Sequence, residues 1–429
     1  MTHTKKLLWF TSTLMPAMAR SIGAPQAMAG PWIARLLEEV RSNVDCEICV
    51  ASPYATQGKS DFEEDGVRYV MLPRRKRLHY WTYSYDGLEA AQELIDEYKP
   101  SLVHVHGSEH CLGLASARAQ HKCPSIVSLQ GILRAYAPRA LGELDFVDVL
   151  RSEKLSDLVR MTGVIGLRRN WRQGAAVEAQ VMHQHRHFIG HNEWDRAQLL
   201  ACNPAAVYHR VGDPLRKEFF AHRWTLDGAR RHTVFFGNLA GAHKGGHTIL
   251  RAIPILARSF PDVSFRVAGR LGTERGYGRL FMQESQRLGV ADRVVFLGFL
   301  DATQMAQELA KAHVFVSASH IDTNPNSVGE AEAVGVPIVG SYAGGVPEML
   351  DDGRAGLLFP AGDAEVLAAR VERIFRDDTL ATTLSAAGRK QADIRHNPEV
   401  ILTELLAAYA AAGCDVPGRD STDRHSAAL

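Results

Sequence analysis

His313-Val314-Phe315-Val316-Ser317-Ala318-Ser319 is an apolar run ending in small polar residues. Three residues later the chain reads Asp322-Thr323-Asn324-Pro325-Asn326-Ser327-Val328-Gly329-Glu330-Ala331-Glu332-Ala333-Val334-Gly335-Val336-Pro337, and a second apolar run, Pro337–Gly340, follows. The order is strand, loop, helix, strand. Two strands joined through a helix lie parallel, so this stretch predicts a parallel sheet covered by helices.

The same alternation extends in both directions. Besides Val314–Ser317 itself there are runs at Thr233–Gly237, Ser264–Gly269, Val294–Leu297 and Gly356–Phe359, with helical patterns at His247–Phe260, Gln304–Ala312 and Ala364–Phe375. The front half repeats it at Leu7–Phe10, Glu47–Val50, Leu102–His106, Ser125–Leu129 and His187–Gly190. Two such series in 429 residues exceed what one core holds and predict two doubly wound Rossmann-like domains. The boundary is expected between Pro214 and Arg231, a polar, basic stretch. The expected division is 1–215, 230–395, a C-terminal helix at 396–412 that packs back on the first domain, and a disordered tail at 413–429. No short-period repeat interrupts this pattern.

Bulk properties exclude several classes. The formal net charge is +1, so nothing pulls the whole molecule toward nucleic acid. Six scattered cysteines do not make a disulfide framework, and Cys46-Glu47-Ile48-Cys49 reads as part of a buried strand rather than half a zinc site. Lys5-Lys6, the weakly apolar Leu7–Met18 and Ala17-Met18-Ala19 imitate a secretion signal, but Leu7–Phe10 serves equally as a first strand. No GxGxxG follows that strand, which disfavours a dinucleotide-dependent dehydrogenase.

The chemistry concentrates in two loops of the back half. Bare backbone amides at a helix start suit a diphosphate, so Pro325, Asn326 and Ser327 are candidate diphosphate-binding residues, with Asn326 or Ser327 as the cap and Glu330 completing a capping box. Asp322 and Glu330 are carboxylates able to accept from sugar hydroxyls. Upstream, Phe235-Phe236-Gly237-Asn238-Leu239-Ala240-Gly241-Ala242-His243-Lys244-Gly245-Gly246 reads as strand, loop and helix start, with the Lys244 ammonium aimed at phosphates.

Together these segments resemble the donor-binding half of retaining GT-B glycosyltransferases, glycosyltransferase family 4. That family usually shows Glu, seven residues, Glu, then Ala-Met-Ala-x-Gly-x-Pro. Here Asp322 and Glu330 take the two acidic places, Glu332 stands at the Met, and Gly335 and Pro337 match. The resemblance implies that Asp322 meets the donor sugar, from a carboxylate one methylene shorter than usual, and that Glu330 meets the ribose. Lys244-Gly245 matches the family's Lys-Gly, while Asn238 replaces its Arg; Arg270, in Ala268-Gly269-Arg270, is expected to supply the missing charge.

The acceptor half carries a thinner signal. Gly30, in Ala29-Gly30-Pro31-Trp32, resembles the family's glycine loop after the first strand. His106 and Glu109 follow a strand end and are candidates for acid–base work or acceptor orientation. Gln130 stands where many members carry a His, and Trp194-Asp195 matches part of a pattern in polysaccharide-building members. His183, His185, His187 and His191 recur at a spacing that would put three on one strand face; without supporting carboxylates no metal site is expected. Arg74-Arg75-Lys76-Arg77, ending in aromatic residues, suits an anionic membrane surface.

The expectation is a cytoplasmic, peripherally membrane-bound GT-B retaining glycosyltransferase whose domains face each other across a cleft. It would take a nucleotide-sugar donor, need no cofactor or metal, and act on a glycan or polyprenyl-diphosphate-linked acceptor, without nucleic acid. The rival expectations are a non-catalytic partner subunit of a glycan-assembly complex and a nucleotide-sugar epimerase.

Overall fold

Near-continuous apolar runs become strands buried on both faces, as parallel sheets require. The structure, a computed structural model, describes residues 4–23, 31–54, 60–73, 87–160, 163–237, 239, 241–269 and 276–418. The chain divides into two compact units. The first holds residues 1–134, 173–214 and 396–429; the second holds 135–172 and 215–395.

The first unit is built on eight strands: β1 (Lys5–Thr11), β2 (Cys46–Tyr54), β3 (Ser60–Glu64), β4 (Val67–Pro73), β5 (Leu102–His106), β6 (Ser125–Ser128), β7 (His187–Gly190) and β8 (Val207–Arg210). Their order is β3-β4-β2-β1-β5-β6-β7-β8. Among the described strands of this sheet only β3 runs antiparallel, against β4. Leu7, Leu8, Trp9 and Phe10 are completely buried, so the stretch that imitates a secretion signal is the sheet's central strand. β1 pairs with β2 on one side and β5 on the other, with Thr11 opposite His106. The strand order therefore reverses between β1 and β5, at their carboxyl ends.

The helix Pro398–Ala411 returns to this unit. Ile401, Leu405 and Tyr409 enter a core with Leu7, Trp9 and Val40. Residues 413–418 correct the expected disordered tail: Cys414 and Val416 are buried, and Gly418 bridges to Val44. Burial of two apolar side chains and a backbone pairing hold that segment in place.

The second unit carries six parallel strands: β9 (Arg230–Phe236), β10 (Ser264–Ala268), β11 (Val294–Gly298), β12 (Ala312–Ser317), β13 (Ile338–Ser341) and β14 (Leu357–Phe359). Their order, β11-β10-β9-β12-β13-β14, puts the reversal between β9 and β12. Residues 135–172, expected with the first domain, pack here instead. Leu144, Val149 and Val164 join this core. Gly142, at φ +57, lies so close that a Cβ would stand 2.2 Å from the Ala242 carbonyl oxygen, and its own carbonyl accepts from His247 Nε2 at 2.7 Å.

Candidate active site

In doubly wound sheets ligands bind beyond the carboxyl ends of the strands, where the order reverses. In the second unit that point gathers the described residues after β9, 237, 239 and 241–245, and the loop after β12, residues 318–325. Glycine makes their contact possible. A Cβ on Gly245, at φ +72, would stand 1.9 Å from the Ala318 carbonyl oxygen. The His320 amide donates to the His243 carbonyl at 2.7 Å. From the loop after β13, Gly344 (φ +58) abuts Asp322, where a Cβ would lie 1.8 Å from its carbonyl oxygen, and the Gly345 amide donates to that oxygen at 3.0 Å.

Within this frame Lys244 Nζ donates to Asp322 Oδ2 at 2.6 Å, and Ser319 Oγ donates to the same oxygen at 3.2 Å. Both charged side chains are largely buried, 18% and 11% exposed, so the pair is far less screened than a surface ion pair. An ammonium has three donors, and this bond uses one. The Thr323 amide donates to Tyr136 Oη at 2.8 Å, which fixes the next residue as well.

The helix Asn326–Val334 begins differently from the sequence expectation. Pro325 is the N-cap and no side chain caps the first turn. Asn326 and Ser327 are already helical, and Glu330 does not close a capping box, because its carboxylate is turned to Arg216 Nη2 at 2.7 Å. Burial raises the Glu330 carboxyl above its ordinary value while Arg216 opposes the shift. The uncapped first turn retains the anion-attracting end of the helix. Two residues on, the Glu332 side chain is completely buried against Arg395 Nη1 at 2.6 Å, and burial pushes its carboxyl up to about 7 despite that arginine.

In the first unit His106 ends β5 at the reversal point. It stacks on His104 at 3.8 Å between ring centroids and lies 4.6 Å from Trp9. His104 is fixed in turn by Tyr409 Oη at Nδ1, 2.8 Å, and Ser128 Oγ at Nε2, 2.7 Å. Burial lowers His106 to about 3, so its ring is neutral at physiological pH. Gly107, at φ +109, leaves room for the Glu109 carboxyl to fold over it; a Cβ there would be 2.7 Å from Oε1. Burial pushes Glu109 up to about 8. Glu178, far away in sequence but brought close by the fold, accepts from the Leu133 amide at 2.9 Å, the Arg134 amide at 3.1 Å and Ser108 Oγ at 3.3 Å. Burial raises it to about 7.

Residues 230–377 match the family described as Glycosyl transferases group 1, and residues 29–211 match the Glycosyl transferase 4-like domain. A glycogen synthase of Mycobacterium tuberculosis is 28% identical over 203 residues, covering 46% of this chain and 48% of that one. The chain thus spans about half the length of the curated relatives it matches. Sucrose-phosphate synthase from Thermosynechococcus elongatus superposes at a TM-score of 0.73 with 17% identity, over 95% of this chain and 98% of that one. Anabaena Alr3699/HepE in complex with UDP-glucose superposes at 0.68 with 16% identity, over 95% and 99%. The fold is GT-B.

In this GT-B chain the structure brings Lys244 and Asp322 together and sets Glu330 on the helix that follows. Pro325, Asn326 and Ser327 form the start of that helix. Arg216 joins the second unit's cluster through Glu330, and Glu178 joins the first unit's cluster through Ser108; neither has a sequence signal beyond Arg216 standing in the basic linker. Gln130 is partly exposed after β6. Trp194 is half-buried, while Asp195 is the third residue of the helix that Asn192 caps: it closes the capping box with Asn192 and accepts from Tyr208 Oη at 2.6 Å. The histidine run does not share a strand face, since only His187 lies in β7. His183 is on the preceding helix, and His185 bonds the Gly113 carbonyl at 2.9 Å. Among the described residues no group of three metal-ligating side chains converges. Gly30, Asn238, Arg270 and the Arg74–Arg77 run lie outside the described residues.

Proposed function

We propose that the protein is a retaining glycosyltransferase. It takes a nucleotide-sugar donor, needs no metal ion, and transfers the sugar to a glycan or lipid-linked acceptor in polysaccharide or glycoconjugate assembly, in the cytoplasm at a membrane surface. The observation that carries this reading is the Lys244–Asp322 pair beside the uncapped start of the helix Asn326–Val334, at the carboxyl ends of β9 and β12.

The chemistry follows from charge. Breaking the bond between sugar and nucleotide leaves a diphosphate with growing negative charge. The two remaining donors of the Lys244 ammonium and the first-turn amides at Asn326 and Ser327 stabilise it. Asp322, held by Lys244 and Ser319, receives the donor sugar's hydroxyls. Glu330, paired with Arg216, receives the ribose hydroxyls. On the acceptor side, neutral His106 orients rather than protonates, and Glu109, carrying its proton near neutral pH, donates a hydrogen bond. HepE's UDP-glucose complex makes that donor the first to try.

The test is thermal unfolding of the protein with UDP, GDP and ADP and their sugar conjugates, in EDTA, followed by NMR of the product's anomeric proton. A rise of several degrees with one nucleotide family and a product that keeps the donor's configuration support the reading. No rise with any nucleotide, a requirement for metal, or an inverted product overturns it.

A further inference from the structure

The helix Phe146–Ser152 is turned inside out. Asp148, Val149 and Ser152 are buried, while Phe146 is 75% exposed, Val147 51% and Leu150 54%. Positions 146, 147, 150 and 151 share one helix face, and on this helix that face is the apolar one, looking outward. Leu155, opening the next helix, is 79% exposed. Of eleven large apolar side chains exposed among the described residues, five fall between 146 and 165, so the exposure is concentrated in this one segment of the chain.

The orientation is fixed by polar contacts on the inner side. Arg251 Nη2 donates to Asp148 Oδ2 at 3.2 Å, and Asp145 caps the helix at the Asp148 amide. Arg279 donates to the carbonyls of Arg151 and Glu153 and so ties down the helix end. Turning the apolar face inward would strip Asp148 of its arginine. The helix therefore presents Phe146, Val147 and Leu150 as a built surface.

Charge indicates what covers it. Asp148 and Asp157 are buried, whereas Arg151, Lys154, Arg169 and Arg172 are exposed. Glu143 and Asp145 are the exposed acids on this segment, both before the apolar face, and Asp145 is engaged as the helix cap. Exposed apolar side chains followed by exposed cations match a bilayer with anionic headgroups: the apolar groups enter the acyl boundary and the cations meet the phosphates.

We propose that the face carrying Phe146, Val147, Leu150 and Leu155 docks the protein on an anionic membrane. The inference rests on the reading that the protein works at a membrane surface and is independent of its transfer chemistry.

The experiment is co-sedimentation of the full chain with phosphatidylcholine vesicles containing 0 or about 30% phosphatidylglycerol, a composition chosen to give a negative surface potential. The wild type is expected to bind the anionic vesicles. The Phe146→Glu/Leu150→Glu variant is expected to lose at least tenfold in partitioning with unchanged unfolding temperature. Arg151→Glu or Lys154→Glu should each cost roughly fivefold or more, on anionic vesicles alone. Leu155→Ser, which adds no charge, guards against a general effect of acidic substitutions and is expected to weaken binding too. A wild type that ignores anionic vesicles removes the membrane reading itself. Binding that survives the double variant but is lost on Arg74→Glu/Arg75→Glu moves the surface elsewhere and overturns the proposal. A wild-type dimer that the double variant converts to monomer assigns the face to a second copy and overturns it as well.

Discussion

Glu332 occupies the place of a family methionine, and its burial sets up a measurable pH dependence. Its side chain is completely buried, and its carboxyl stands at about 7 rather than 4.5 although Arg395 Nη1 lies 2.6 Å away. That shift disfavours the ionised form in the fold by about 3 kcal/mol. Between pH 4.5 and 7 the folded chain keeps a proton that the unfolded chain releases, so this group's contribution to stability falls as pH rises through that window and levels off above it. Glu332→Gln preserves shape and removes the titration. Measured from pH 4 to 8, the wild type should lose about 3 kcal/mol relative to the variant, or roughly 6–12 °C in the melting of a unit of this size. Calorimetry is the suitable assay because two units need not melt as one. Glu109 and Glu178 titrate in the same range but are common to both proteins and cancel in the difference. Arg395→Met supplies the second arm: it should cost about 3–5 kcal/mol at pH 8, where the carboxylate is stranded, and less at pH 5, where it is already protonated. A flat difference curve, or a wild type that gains on the variant as pH rises, would mean that Arg395 outweighs burial and would refute the argument.

Three further outcomes follow from the same geometry. Lys244→Ala should lower transfer about 10²–10³-fold at saturating donor, by loss of charge opposite the departing diphosphate; undiminished turnover removes Lys244 from the site. Gly344→Ala forces a Cβ to within 1.8 Å of the Asp322 carbonyl, so the nucleotide-induced rise in melting temperature should disappear, and an unchanged rise would show the loop contact to be irrelevant to binding. Tyr409→Phe takes the hydroxyl from buried His104 Nδ1 and should destabilise the first unit by about 1–3 kcal/mol in calorimetry, with no effect expected if the bond contributes nothing.

The parallel strands are legible because burial on both faces leaves almost continuous apolar runs, as in Leu7–Phe10 and Leu102–His106. β3 and β4 escape a reading keyed to strand–helix alternation because they form a hairpin, and β3, Ser60–Glu64, is polar. β8 is short and only half-buried. The Lys244 and Asp322 loops are legible from their spacing, since each stands alone as a strand end followed by a helix start. Arg216 reaches Glu330 across 114 positions, and Glu178 reads as an ordinary acid on a long helix; their roles exist only once tertiary packing sets their partners. The same limit applies to residues 135–172, whose sequence says helix but not which sheet the helices cover.

The helix Pro398–Ala411 completes the first sheet's core, yet the chain reaches it only after the whole of the second unit. A ribosome releasing this protein makes β1 through β8, then all of residues 215–395, before Tyr409 exists to meet His104. At ordinary elongation rates the first sheet waits on the order of 10–40 s with that slot open. The second unit, by contrast, has all its segments by residue 395, before the helix that closes the first core is made.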